Sequence, residues 1–74
     1  MNDALSMWVV YDHPRDHPDK WVARRWEVRA GITAATSDVR FAESLDALRD
    51  MIPPGLAMIP RVPQDDPAIA EVWL

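Results

Sequence analysis

Apolar residues first gather at Met7, Trp8, Val9, Val10 and Tyr11, a β-branched and aromatic run closed by Asp12, His13 and Pro14. That composition predicts a strand, and the Asp-His-Pro after it predicts a turn. From Asp12 to Asp19 the chain repeats itself, Asp-His-Pro-Arg and then Asp-His-Pro-Asp. Prolines fix φ and donate no hydrogen bond, so this segment reads as a stiff, extended loop. From Trp21 to Ala30 the pattern alternates, with Val22, Trp26, Val28 and Ala30 on one parity and Ala23, Arg25, Glu27 and Arg29 on the other. Period-two alternation predicts a half-buried strand with a charged outer face, and places Trp26 inward. Gly31 to Ser37 is small and polar enough for a hairpin connection. Asp38, Val39, Arg40 and Phe41 then resume the alternation, so the two segments are expected to pair.

Ser44 is a good N-cap, and Leu45, Leu48 and Ile52 fall on one face of the helix that follows. Pro53, Pro54 and Gly55 end it after about two turns, too short a helix to persist without a sheet beneath its apolar stripe. Two more apolar segments follow, Leu56 to Pro60 and Ile69 to Leu74, joined by a loop holding Pro63, Asp65, Asp66 and Pro67. Pro60 cannot donate to a ladder, so the first of these should be short or at an edge. The expected fold is α+β: a small antiparallel or mixed sheet in the chain order β-β-β-α-β-β, with one short helix against one face. The Leu45 and Leu48 stripe should rest on the inward face that holds Trp26, so Trp26→Ala should cost about 3–5 kcal/mol.

The 74 residues leave room for a single domain, 1–74, with one core. Half the chain is hydrophobic and four residues are tryptophan, each able to bury roughly 150–250 Å². Four such rings crowd so small a body, which points to some of them at a contact surface. With no cysteine there is neither a disulfide framework nor a thiolate metal site, and a reducing compartment fits best. No cationic segment precedes an apolar run at the N-terminus, and no stretch approaches the roughly 18 apolar residues of a span. The expectation is a cytoplasmic protein without a membrane partner.

Net charge is −4 with a sequence pI near 4.8, the wrong sign for direct nucleic-acid binding. The charge is also segregated. Residues 1–34 hold five basic and five acidic groups, while residues 35–74 hold three basic and seven acidic, so the whole excess lies in the second half. Glu43, Asp46 and Asp50 project from one side of the short helix, opposite Leu45 and Leu48. With Asp65, Asp66 and Glu71 they form a candidate partner-binding face, because spaced carboxylates attract a basic protein surface and speed association with it. A plainly solvated helix face has the same pattern, its early acids favoured by the helix dipole.

Other candidate chemistry is sparse. Trp21, Arg24, Arg25 and Arg29 combine residue types enriched at interface hot spots and offer an alternative partner surface, although a half-buried strand also needs a polar side. His13 and His17 are weak metal candidates: the prolines after each hold them apart, and no further ligands accompany them. A plain surface turn explains them, and neither metal nor cofactor is expected. There is no Gly-x-Ser-x-Gly elbow, and with Gly31 and Gly55 as the sole glycines there is no phosphate-cradling loop. An enzyme is therefore not expected.

The run Met7-Trp8-Val9-Val10-Tyr11-Asp12-His13-Pro14, the Trp21-Val22-Ala23-Arg24-Arg25-Trp26 segment, Pro54-Gly55-Leu56, Ile59-Pro60-Arg61 and Asp65-Asp66-Pro67 through Glu71-Val72-Trp73-Leu74 resemble short uncharacterised proteins of bacterial genomes and their prophages. The resemblance spans most of the chain and implies a compact stand-alone protein of phage origin, with no catalytic motif to carry over. By analogy with small acidic phage proteins such as anti-CRISPR proteins and other nucleic-acid mimics, it suggests occupation of a host protein's basic surface. The expected function is thus a non-enzymatic inhibitor or adaptor of a host protein or complex, nucleic-acid-binding ones included, with no direct nucleic-acid contact. The alternative is a homo-oligomerising structural or accessory protein. The chain is expected as a monomer or a homodimer.

Overall fold

A computed structural model describes residues 5–61 and 67–74. Among them five strands, β1 Leu5–Asp12, β2 Trp21–Arg29, β3 Ile32–Ala42, β4 Met58–Pro60 and β5 Ile69–Trp73, form a single antiparallel sheet. One helix, α1 Leu45–Arg49, stands between β3 and β4 in the chain. The spatial order, β3-β2-β1-β5-β4, departs from chain order: β1 lies at the centre and β5 pairs on its far side. The first strand can hold the centre because Trp8, Val9 and Val10 are apolar on both of its faces, and all three are buried. The three-residue β4, ending at Pro60, lies at an edge as its proline requires.

The β2–β3 hairpin is tighter than its sequence suggests. Its connection is not Gly31 to Ser37 but only Ala30 and Gly31, both with positive φ (51° and 79°), between the paired Arg29 and Ile32. Two successive positive φ values match the right-handed twist of the flanking strands, and they matter more to the turn than polarity does. The polar run Thr36-Ser37-Asp38, whose first two residues the sequence places in the connection and whose third it places at the start of the strand, instead forms a bulge in β3 opposite Arg25. The Thr36 hydroxyl donates to the Arg25 carbonyl at 2.7 Å and accepts from the Asp38 amide at 3.2 Å. Short polar side chains that bond nearby backbone are what such an interruption needs.

Helix α1 forms as its cap and stripe dictate. The Ser44 hydroxyl accepts from the Ala47 amide at 3.1 Å. Leu48 is fully buried, Ile52 is buried, and Leu45 packs at the margin. They close over Trp8, Val10, Ala23 and Ala42, with Trp21, Ala70 and Trp73 around them. This overturns one expectation. In the β1–β2 register Val10 faces Ala23 and Trp8 faces Arg25, so the helix covers the odd-numbered residues of β2. Trp26 has the other parity and lies on the opposite face. Alternation groups residues but does not choose between the groups; here the small Ala23 and Ala42 leave room for a helix, which a row of Val22 and Trp26 does not.

Candidate functional site

The helix packs on one face of the sheet; the strand positions of the second face are largely apolar, and among the described residues the loop residues Pro14, Asp16 and His17 border that face at one end. Register and alternation place Met7 beside Trp26 and Ala35, Val9 beside Arg24 and Val72, and Tyr11 beside Val22 and Ile69. Val39, Phe41 and Ile59 extend these rows toward the two edges. Val9 and Val22 are almost fully buried by their neighbours alone, while Phe41 and Ile59 are 41% and 42% exposed. Of these strand positions Arg24 is the one charged residue. Its guanidinium donates to the Thr36 carbonyl at 2.8 Å, which ties the charge to the β3 bulge.

The residues read as an Arg and aromatic surface are split by the fold. Trp21 joins the core on the helix side, Arg24 lies on the opposite face, and Arg25 and Arg29 return to the helix side beyond the end of α1. Arg25 donates to Asp38 at 2.7 Å and to Glu27 at 2.9 Å, and Arg29 donates to Glu27 at 3.3 Å. The hydrogen bond to Glu27, then that to Asp38, raises the Arg25 pKa above its ordinary value. The two adjacent arginines therefore grip the bulge from opposite faces. Trp26 is half-buried, and its indole N–H is enclosed without an acceptor among the described residues.

The acidic set divides as well. Glu43, Asp46 and Asp50 are exposed, and Asp46 also approaches Arg49 at 3.8 Å. Glu71 does not belong with them. It is buried, and its carboxylate accepts from Arg49 at 2.6 and 3.0 Å and from the Trp73 indole at 2.6 Å. A bulge between the β5 residues that oppose Val10 and Tyr11 aims both Ala70 and Glu71 at the helix, and so clamps the last turn of α1 to β5. The Arg49 hydrogen bonds hold the Glu71 pKa below the usual carboxylate value; burial opposes the shift and the Trp73 bond adds to it. No spacing rule separates this glutamate from a surface acid, because its partner is 22 residues away. Asp65 and Asp66 lie outside the described residues.

The histidine loop is two turns rather than an extended segment: the His17 amide donates to Pro14 O at 2.9 Å and the Lys20 amide to His17 O at 3.2 Å. His13, at φ 48°, is bonded to the Asp12 carboxylate and meets Trp21 edge-on. His17 meets the Phe41 ring, with centroids 4.7 Å apart. Trp21 and Phe41 belong to opposite faces, so the two imidazoles diverge, each shielding an aromatic ring. Among the described residues no three His, Cys, Asp or Glu side chains are placed to hold a metal ion. An open cavity of about 190 Å³, lined by Tyr11, Pro14, Asp16, Val22 and Arg24, lies at the loop end of the uncovered face. A second, of about 270 Å³ beside Glu27, Arg29, Ile32 and Ala34, lies toward the hairpin tip. Neither lining includes a serine, threonine or histidine.

No helix among the described residues is long and apolar enough to cross a membrane. Compared with family models, with curated proteins and with solved structures, the chain finds no match.

Proposed function

We propose that this chain is a non-enzymatic protein-binding module, an inhibitor or adaptor, and that it works through the uncovered face of its sheet. The observation behind this is that face itself: Met7, Tyr11, Trp26, Val28, Val39, Phe41 and Ile59 fall on one face of the sheet, the helix packs on the other, and among the described residues the loop reaches only its Tyr11–Phe41 end. Stable domains are built from at least two layers around a core, and an apolar patch of several hundred Å² on a small protein commonly marks an interaction site. Recognition there would be driven by burial of apolar area, with Arg24 as the one charged strand residue of the face and Asp16 at its loop end.

The acidic side of α1 supports a second reading, because Glu43, Asp46 and Asp50 are all solvent-facing. On this reading the helix side engages a basic surface of a host protein, in keeping with phage origin. Capture from host lysate with three baits separates the two. A partner lost with Phe41→Glu/Ile59→Glu but kept with Asp46→Lys/Asp50→Lys works through the sheet; the reverse pattern assigns the helix side. Equal capture by all three baits overturns both.

A further inference from the structure

We infer that the occupant of the uncovered face is a second copy of this chain, the two sheets closing face to face into a β-sandwich with the helices outside. The inference rests on the reading of that face as the working surface, and it names the partner.

Charge is the first reason. The strand positions on this face carry no carboxylate and one cation, and the carboxylate bordering it, Asp16 of the loop, lies beside Arg24 at one end, so the apolar centre of a copy brought against it meets no acid. The acids of α1, the Arg25–Glu27–Asp38 network and Glu71 all lie on the helix side, outside the sandwich. A two-fold axis along β1 sets β2 of one copy over β5 of the other. Arg24 then faces Val72 and Ile59 rather than the Arg24 of its mate, and its guanidinium keeps the Thr36 carbonyl near the rim. An interface in which the same patch serves both partners is what a two-fold dimer requires.

Area is the second. Strands about 4.8 Å apart make a face about 24 Å wide, and the long central strands rise about 3.3 Å per residue. Allowing for the short β4, each copy offers on the order of 500–600 Å². Two copies reach the roughly 1,000 Å² expected of a specific interface. Sheets of this size pack face to face about 10 Å apart, with the side chains of both faces interdigitating, as Val, Ile and Phe do well.

The edges are the third, because they disfavour the competing route of joining strand to strand. The outer strand β3 is broken by the Thr36–Asp38 bulge, and β4 is three residues long and ends in proline. Bulges and edge prolines are the usual means of blocking edge pairing. The face is left as the surface on which two copies can meet.

Sedimentation of the full chain at 5–200 μM, a range set by the roughly micromolar affinity of a small interface, tests this directly. The expected species has twice the 8.4 kDa chain mass. Phe41→Glu/Ile59→Glu should weaken dimerisation at least tenfold with an unchanged far-ultraviolet circular dichroism spectrum, while Asp46→Asn/Asp50→Asn leaves it intact. If the double glutamate variant does not fold, the milder Ile59→Lys at the exposed edge takes its place. The melting temperature of the parent should also rise with protein concentration. A parent that stays monomeric throughout overturns the dimer. In that case a captured partner lost with the same variants would keep the face as a site for a different protein, and one captured undiminished would overturn the face reading as well. A parent dimer that ignores these substitutions overturns both, since the copies would then meet elsewhere.

Discussion

The two faces of this sheet are apolar over the same central strands, yet they are finished differently. On one, Trp8 and Val10 are capped by Leu48 and Ile52, and small Ala23 and Ala42 make the room. On the other, Met7, Val9, Val22, Trp26, Val39 and Val72 shield one another side by side, and Phe41, with His17 against one side of its ring, and Ile59 stay partly exposed. The first face is a core built from residues distant in sequence, held together by the Glu71 clamp as much as by the helix. The second, in the dimer we propose, would be half of a core. The contrast teaches that small side chains make room for a packed layer, whereas large ones on the opposite face shield one another within the sheet.

The sharpest way to break the comparison is to empty each side in turn. Leu48→Ala removes a fully buried side chain that the five-residue helix cannot reposition, and should cost about 3–5 kcal/mol in urea denaturation. Trp26→Ala, for all the size of its ring, should cost less than Leu48→Ala, because Trp26 is half-buried on the open face. Equal losses would mean that the two faces are equally complete. Glu71→Ala leaves the Trp73 indole without its acceptor and frees the helix from β5. It should cost about 3 kcal/mol, the low end for a buried pair because Arg49 keeps access to water.

The same clamp sets an acid limit. The folded-state pKa of Glu71 is depressed, so the unfolded chain takes up the proton first. Its contribution is complete above the unfolded value of about 4.3 and is lost as pH falls through the lower folded one. The gap in urea midpoint between the parent and Glu71→Gln should therefore narrow below about pH 4; a gap independent of pH would show that the carboxylate charge does not hold the helix. A smaller effect sharpens the other side. Trp26→Phe gives up ring volume but also removes an enclosed N–H that has no acceptor, so these terms oppose and stability should change by less than about 1 kcal/mol. Smallest of all, Asp46→Asn and Asp50→Asn should each shift stability by less than about 0.5 kcal/mol. Both side chains are exposed, Asp50 caps the helix through its backbone N–H, which asparagine keeps, and Asp46 meets only the partly exposed Arg49 at 3.8 Å. A larger loss would make the acids of α1 part of the fold rather than a free surface.

Local signals in the chain determined the elements. Ser44 with Leu45, Leu48 and Ile52 specified the helix, its cap and its buried stripe, because a side-chain hydroxyl and a 3.6-residue period act within a few residues of each other. Alternation from Trp21 to Arg29 specified β2 and which of its residues travel together, and Pro60 specified an edge. What tertiary structure alone decided were the choices between equivalent local patterns. Which parity of β2 receives the helix depended on the volumes of Ala23 and Ala42 across two strands. Whether Thr36-Ser37-Asp38 turns the chain or bulges a strand depended on Arg24 and Arg25 reaching it from the neighbouring strand. Whether Glu71 is a surface acid or a buried anchor depended on an arginine 22 residues earlier. Each of these is settled by a contact between residues far apart in the chain, where sequence spacing has no bearing on distance, and the candidate surface was hidden for the same reason: an uncovered face exists only once it is known where the helix has gone.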